Sequence, residues 1–128
     1  MEQQETLINF ETAKLAKEKG FNIYQNHQYG QSGAIYYYSL YQCKLFGDVY
    51  YAPSQSLLQK WLRDKCKLHI EIQLGKDDYQ IFYNYRIDKI EFVKNYVTDY
   101  LSLNEIHNGV SNYEECLEMG LQNALKLL

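Results

Sequence analysis

From Leu68 to Leu74 the chain alternates without a slip. Leu68, Ile70, Ile72 and Leu74 are apolar, and His69, Glu71 and Gln73 between them are polar. Successive side chains of a strand point to opposite faces, so this pattern predicts a half-buried β-strand. Gly75-Lys76-Asp77-Asp78 is a turn sequence, after which the period of two resumes. Tyr79, Ile81, Tyr83, Tyr85 and Ile87 share one face of the return strand, and Gln80, Phe82, Asn84 and Arg86 share the other. An isolated hairpin is marginal in water, so the apolar face needs a cover. The opposite face, from His69, Glu71 and Gln73 to Gln80, Phe82, Asn84 and Arg86, is left open, which favours a homo-oligomer. A third strand is expected between Ile90 and Leu103, with Lys94-Asn95 as a candidate interruption.

Three helices can supply the cover. The first is expected from Phe10 to Lys19, with Asn9 as N-cap, Glu11 and Thr12 in the first turn, and Gly20 closing it. Leu7, Phe10, Ala13 and Ala16 or Lys17 form its narrow stripe, and Phe21 is placed to fold back. The second opens at Pro53-Ser54 and carries Leu57, Leu58, Trp61 and Leu62 on one face, with Trp61 expected in the core. The third starts at Ser111 or Asn112, and Ser111 and Glu114 have the capping-box spacing. Leu117, Leu121, Ala124, Leu125 and Leu128 are its stripe, and Gly120 within it permits close approach to the sheet.

Asn22 to Gly33 is polar and reads as a loop. Ala34 to Tyr41 reads as a strand, followed by a Gly47-Asp48 turn and Val49-Tyr50-Tyr51, a second hairpin. The prediction is a single α+β domain over residues 1–128. It has a four- or five-stranded, mostly antiparallel sheet with three helices packed on one face, in the order α-β-β-α-β-β-β-α.

Composition narrows the function classes. A net charge of −3 argues against a general nucleic-acid binder. Cys43, Cys66 and Cys116 are odd in number and far apart, which reads as free thiols in a reducing compartment. The acidic, polar start is no secretory signal, and no apolar run approaches the roughly 20 residues of a membrane span. A cytoplasmic protein without membrane contact is expected. Fourteen tyrosines stand out, eight of them between Tyr24 and Tyr51. Eleven lysines against two arginines point to an A/T-rich coding bias that accounts for part of that count.

No residue pattern demands catalysis. His27, His69 and His107 lie on three separate segments, so neither a metal nor any other cofactor is expected. Cys43 or Cys66 with His69 has no spacing that marks a nucleophilic pair. Glu114, Glu115 and Glu118 look like paired acids but suit the start of a helix. Gly30-Gln31-Ser32-Gly33 lacks the lysine and the preceding strand of a phosphate loop. The start of the second helix, with Ser54, Gln55 and Ser56, is a better anion candidate, although simple capping explains the same residues. Tyr36, Tyr37 and Tyr38 cannot all face one side of a strand, so at least one ring must meet solvent, a partner or a ligand. Tyrosines near a cation suit a purine nucleotide, and the same rings suit an interface.

Two segments, Tyr51-Ala-Pro-Ser-Gln-Ser-Leu-Leu-Gln-Lys-Trp-Leu-Arg63 and Tyr113-Glu-Glu-Cys-Leu-Glu-Met-Gly-Leu-Gln-Asn-Ala-Leu125, carry a resemblance. Together they resemble a group of small hypothetical proteins from phages, prophages and Bacteroides-like genomes. Cys116 stands where alanine is usual there, and the Tyr24–Tyr51 region departs from the pattern. The resemblance implies a mobile-element origin in a bacterial host and transfers no catalytic residue.

The expectation is therefore a non-enzymatic binding protein of phage or mobile-element type that sequesters a nucleotide-like host immune signal. Its binding residues would be Tyr36, Tyr37, Tyr38, Tyr50, Tyr51, Ser54, Gln55 and Arg86. The alternatives are an interaction module that inhibits a host protein, and an enzyme.

Overall fold

A computed structural model describes residues 5–37, 49–76, 78–79, 81–93, 96–105 and 110–128, with side chains described outside 91–105. The elements run α1 (Phe10–Glu18), β1 (His27–Tyr29), β2 (Ile35–Tyr37), β3 (Tyr50–Tyr51), α2 (Gln55–Cys66), β4 (Leu68–Lys76), β5 (Ile81–Val93), β6 (Tyr96–Glu105) and α3 (Tyr113–Lys126).

The helix boundaries follow local chemistry. Asn9 caps α1 by accepting the Thr12 amide. At the other end Gly20 takes φ +102°, its N–H donates to the Lys17 carbonyl, and the Phe21 N–H donates to the Ala16 carbonyl. That pair of bonds is the Schellman closure, and it turns Phe21 back into the core, edge-on to Trp61. Trp61 itself is only half-buried and lies at the margin of the core. Ser54 caps α2 through the Leu57 amide. Leu58 and Leu62 of α2 are fully buried, each contributing about 1.5–3 kcal/mol of apolar burial. The third helix is capped by Asn112, which accepts the Glu115 amide, so Ser111 lies one residue outside the cap.

The α+β class and the three helices are as the sequence predicts. The strands divide into two antiparallel sheets of three, ordered β2-β1-β3 and β4-β5-β6, instead of one sheet of four or five. The stretch read as a loop supplies the difference. His27, Gln28 and Tyr29 form β1, which pairs with β2 on one side and β3 on the other. The expected partners β2 and β3 therefore do not touch as neighbours. Gly30 and Gly33 make the β1–β2 turn, with Gly33 at φ +88°. Tyr38, Cys43, Gly47-Asp48, Gln80, Lys94-Asn95 and His107 lie outside the described residues.

Helices α2 and α3 pack on β4 and β5, whereas α1 packs on α3 and on β3 of the small sheet. The core face of the large sheet is Leu68, Ile70, Tyr85 and Ile87, all nearly inaccessible. Gly120 lets α3 come in close, since a Cβ there would lie 3.0 Å from Ile70 and 3.3 Å from the Tyr85 ring. Farther along the hairpin the helices end but the strands continue. Leu74 and Ile81 share the core face yet are 65% and 60% exposed. On the reverse side the Phe82 ring covers Gly75, where a Cβ would meet it at 2.5 Å. The hairpin therefore ends in an arm that no helix covers.

The other face of the large sheet is half-buried. Arg86 joins Glu71 across the strands at 2.7 Å and Asp88 along its own strand at 3.2 Å. Asp88 is buried with one carboxylate oxygen lacking a partner, so the Arg86 charge is what makes its burial tolerable.

One carboxylate ties the helix starts together. Glu118 of α3 accepts from the Asn9 amide at 3.0 Å, from the Thr12 hydroxyl, and from the buried Gln55 side-chain amide at 2.9 Å. The same Gln55 nitrogen donates to the Glu114 carbonyl at 2.8 Å. Replacing Glu118 by alanine would remove the acceptor of the Asn9 amide and one of the two acceptors of both the Thr12 hydroxyl and the Gln55 side-chain nitrogen. Urea unfolding of Glu118→Ala is expected to show a loss of about 2 kcal/mol or more, against less than about 0.5 kcal/mol for the exposed Glu115→Ala.

Candidate functional site

A concavity lies along the first turns of α2. Residues 6–8 run antiparallel to 53–55: the Ile8 N–H donates to the Pro53 carbonyl, and the Gln55 N–H donates to the Thr6 carbonyl. This strand-like crossing places Glu5 and Leu7 beside the helix. Strand β1 brings His27 to the opposite side, and Gln25 precedes it. The open groove has a volume of about 930 Å³. Leu7 and Leu57 give it an apolar floor, and Lys60 and Arg63, one and two turns into α2, line its far end. A smaller recess of about 280 Å³ lies across Glu5 and Ser56, towards Tyr113 and Glu114.

Many of the polar groups here already have partners. Ser54 is engaged in capping, the Ser56 hydroxyl donates to Glu5 at 3.0 Å, and the Gln59 amide donates to the Ile70 carbonyl. Arg63 has only its exposed neighbour Asp64, at 3.6 Å. Such a surface pair contributes about 0–1 kcal/mol, so the guanidinium is easily redirected. Among the described residues, the Lys60 ammonium, the His27 ring nitrogens and the Gln25 side-chain amide have no hydrogen-bond partner. They are the groups of the groove available to a ligand.

The residues expected to bind are dispersed. Tyr37 does not line the groove but touches a residue that does: its ring meets His27 edge-on at 5.1 Å, and its hydroxyl accepts from Asn26. Tyr36 is exposed on β2, and Tyr38 lies outside the described residues. Tyr50 is half-buried against Phe10, with the Lys17 ammonium 4.9 Å from its ring centre, and Tyr51 packs on Tyr24. Ser54 lines the groove as a cap. Gln55 is buried in the Glu118 network, which closes the start of α2 to an anion. Arg86 sits on the other sheet, paired with Glu71 and Asp88, and does not converge with the tyrosines of the small sheet. Tyr83 and Tyr85 point to the helices, Tyr85 fully buried and accepting from Asn123.

The residues that sequence reasoning missed are Glu5, Gln25, His27 and Lys60. Only the helical spacing of Ser56, Lys60 and Arg63 could have hinted at them, as one polar face of α2. Among the described residues no three His, Cys, Asp or Glu side chains gather as metal ligands, and no helix is long and apolar enough to cross a membrane. A comparison with protein-family models gives no match, and neither do comparisons with curated proteins and with solved structures.

Burial raises the Tyr29 phenol above its ordinary value, and the Glu118 carboxylate adds to the effect. The Tyr29 hydroxyl donates to the Ile8 carbonyl at 2.7 Å, so the ring serves packing at the root of the groove. Burial likewise raises the thiols of Cys66 and Cys116, the reverse of an activated nucleophile. Because the folded state disfavours these thiolates, their contribution to stability is complete below the ordinary value of 9.0. It is lost as pH climbs from there through the raised native values. Site-resolved alkylation by iodoacetamide is expected to run at least about tenfold slower at both cysteines in the folded chain than in urea. Urea midpoints are expected to fall once pH passes the ordinary thiol range.

Proposed function

We propose that this chain is a non-enzymatic binding protein of phage or mobile-element type, and that it holds a small nucleotide-like molecule in the groove beside α2. The single observation that carries this reading is the set of unengaged polar groups around an apolar floor. Lys60, His27 and Gln25 converge on a space of about 930 Å³ above Leu7 and Leu57. A volume of this order suits a small organic ligand, and pockets of that kind combine apolar walls with a few unmatched polar groups. The His27–Tyr37 ring pair adds a planar edge for a base. A host immune signal of nucleotide type matches this chemistry, and sequestering it requires no catalytic group.

The test is a thermal-shift screen against mononucleotides and cyclic dinucleotides. At least one is expected to raise the melting temperature of the chain and not that of a Lys60→Glu/His27→Ala variant. No shift with any of them at high micromolar concentration overturns the reading.

A second reading, an interaction module that inhibits a host protein, is favoured by β2. Ile35, Tyr36 and Tyr37 are 47%, 44% and 66% exposed in succession, so both faces of this short strand meet solvent. A host protein captured by the chain is expected to be lost with Ile35→Ser/Tyr37→Ser. Capture that survives those changes removes β2 from the argument.

A further inference from the structure

The groove is electrically two-ended. At the start of α2, where free amides and the helix dipole would normally welcome an anion, the chain has already placed one of its own. Glu5 stands at the first turn, held by the Ser56 hydroxyl at 3.0 Å. The Gln55 and Leu57 amides are engaged by Thr6 and Ser54. An incoming anion meets the Glu5 charge there and few donors. The cations lie farther along the same face. At 1.5 Å of rise per residue, Lys60 is about 6 Å and Arg63 about 10 Å beyond Ser56 along the helix axis. Between the two ends lie the apolar side chains of Leu57 and Leu7.

We infer that the groove reads its ligand end to end: an anionic group at Lys60 and Arg63, and a hydrogen-bond donor at Glu5. The class that fits is a nucleotide whose base carries an exocyclic amino group, lying with its phosphate towards the C-terminal end of α2. This rests on the ligand-binding reading above and deepens it. The carboxylate of Glu5 accepts and never donates, and among the described residues one of its oxygens has no partner. An amino-bearing base satisfies that oxygen, whereas a base with a carbonyl at the same position sets an acceptor against it. The phosphate exchanges water for Lys60 and Arg63, of which, among the described residues, the first has no other partner and the second only a weak one. Inorganic phosphate matches one end alone, and a nucleoside matches the other alone.

Calorimetric titration with four probes tests the polarity: adenosine 5′-monophosphate, inosine 5′-monophosphate, adenosine and inorganic phosphate. Adenosine monophosphate is expected to bind tightest, with inosine monophosphate and adenosine each weaker by about tenfold or more, the effect of losing one charge-assisted contact. In Lys60→Gln/Arg63→Gln the gap between adenosine monophosphate and adenosine is expected to close, with the preference for the amino base kept. In Glu5→Gln the gap between the adenine and hypoxanthine nucleotides is expected to close, with the phosphate preference kept. All three side chains are exposed or at the surface, and unchanged melting temperatures without ligand would show that the variants fold. Nucleotide binding that ignores both the phosphate and the amino group, or that ignores both variants, overturns this inference and leaves the binding reading standing. No binding of any nucleotide, in this assay or in the wider screen, overturns both.

Discussion

Every helix begins with backbone donors that its own turns cannot satisfy, and in this chain one carboxylate takes such a donor from α1 together with a side-chain amide from the start of α2. Glu118, a turn into α3, accepts from the Asn9 backbone amide and the Thr12 hydroxyl at the start of α1 and from the Gln55 side-chain amide at the start of α2. The three helix starts are thereby drawn to one place. Packing follows from that. With α1 held on α3, Phe10 reaches Tyr29 and Tyr50 and anchors the small sheet. With Gln55 held, residues 6–8 lie along 53–55 and set Glu5 and Leu7 as one wall of the groove. The candidate site is thus a by-product of how the helix ends are satisfied, and its shape depends on groups that do not face it.

The tyrosines divide into distinct physical roles. Tyr85 fills the core under α3, Tyr29 and Tyr50 make a half-wet seam with Phe10, and Tyr83 meets Tyr113 edge-on. Tyr36 and Tyr37 remain exposed on a short strand. A ring with one hydroxyl serves all of these settings, which is why their number alone says little about function. Among the described tyrosines between Tyr24 and Tyr51, Tyr37 meets His27 at the edge of the groove, and Tyr29, Tyr36, Tyr50 and Tyr51 lie in the small sheet.

Features governed by near neighbours in sequence were legible in advance. The Asn9 and Ser54 caps, the glycine closure at Gly20 with Phe21 folding back, and the Leu58–Leu62 stripe each depend on residues within one or two turns. The alternation from Leu68 was also readable, since period two needs no knowledge of the partner. Its extent was not. Leu74, Tyr79 and Ile81 obey the pattern but meet no helix, because burial depends on where the cover stops. Strand β1 carries no readable alternation, because His27-Gln28-Tyr29 buries its glutamine, against what polarity suggests, and only half-buries its tyrosine. The contacts of Gln55 and Thr12 with Glu118 span 63 and 106 residues of the chain and leave no local mark. For the same reason the groove could not be read: Glu5, His27 and Lys60 come from three segments that only the folded chain brings together. Ser54 lines the groove but is engaged as the cap of α2, and Arg86 belongs to a charge cluster on the other sheet.

The uncovered hairpin arm has a consequence for how such a chain can change over evolutionary time. Nothing in the core depends on where β4 hands over to β5, so the arm can lengthen or shorten without disturbing Ile70, Tyr85 or Ile87. It cannot do so in arbitrary steps. Removing equal numbers from each strand of the arm leaves Leu68 and Ile87 facing the helices, but an odd number turns every side chain between the deletion and the turn to the other face. The arm behaves as a piece of variable length counted in pairs, attached to a body that tolerates no change of register.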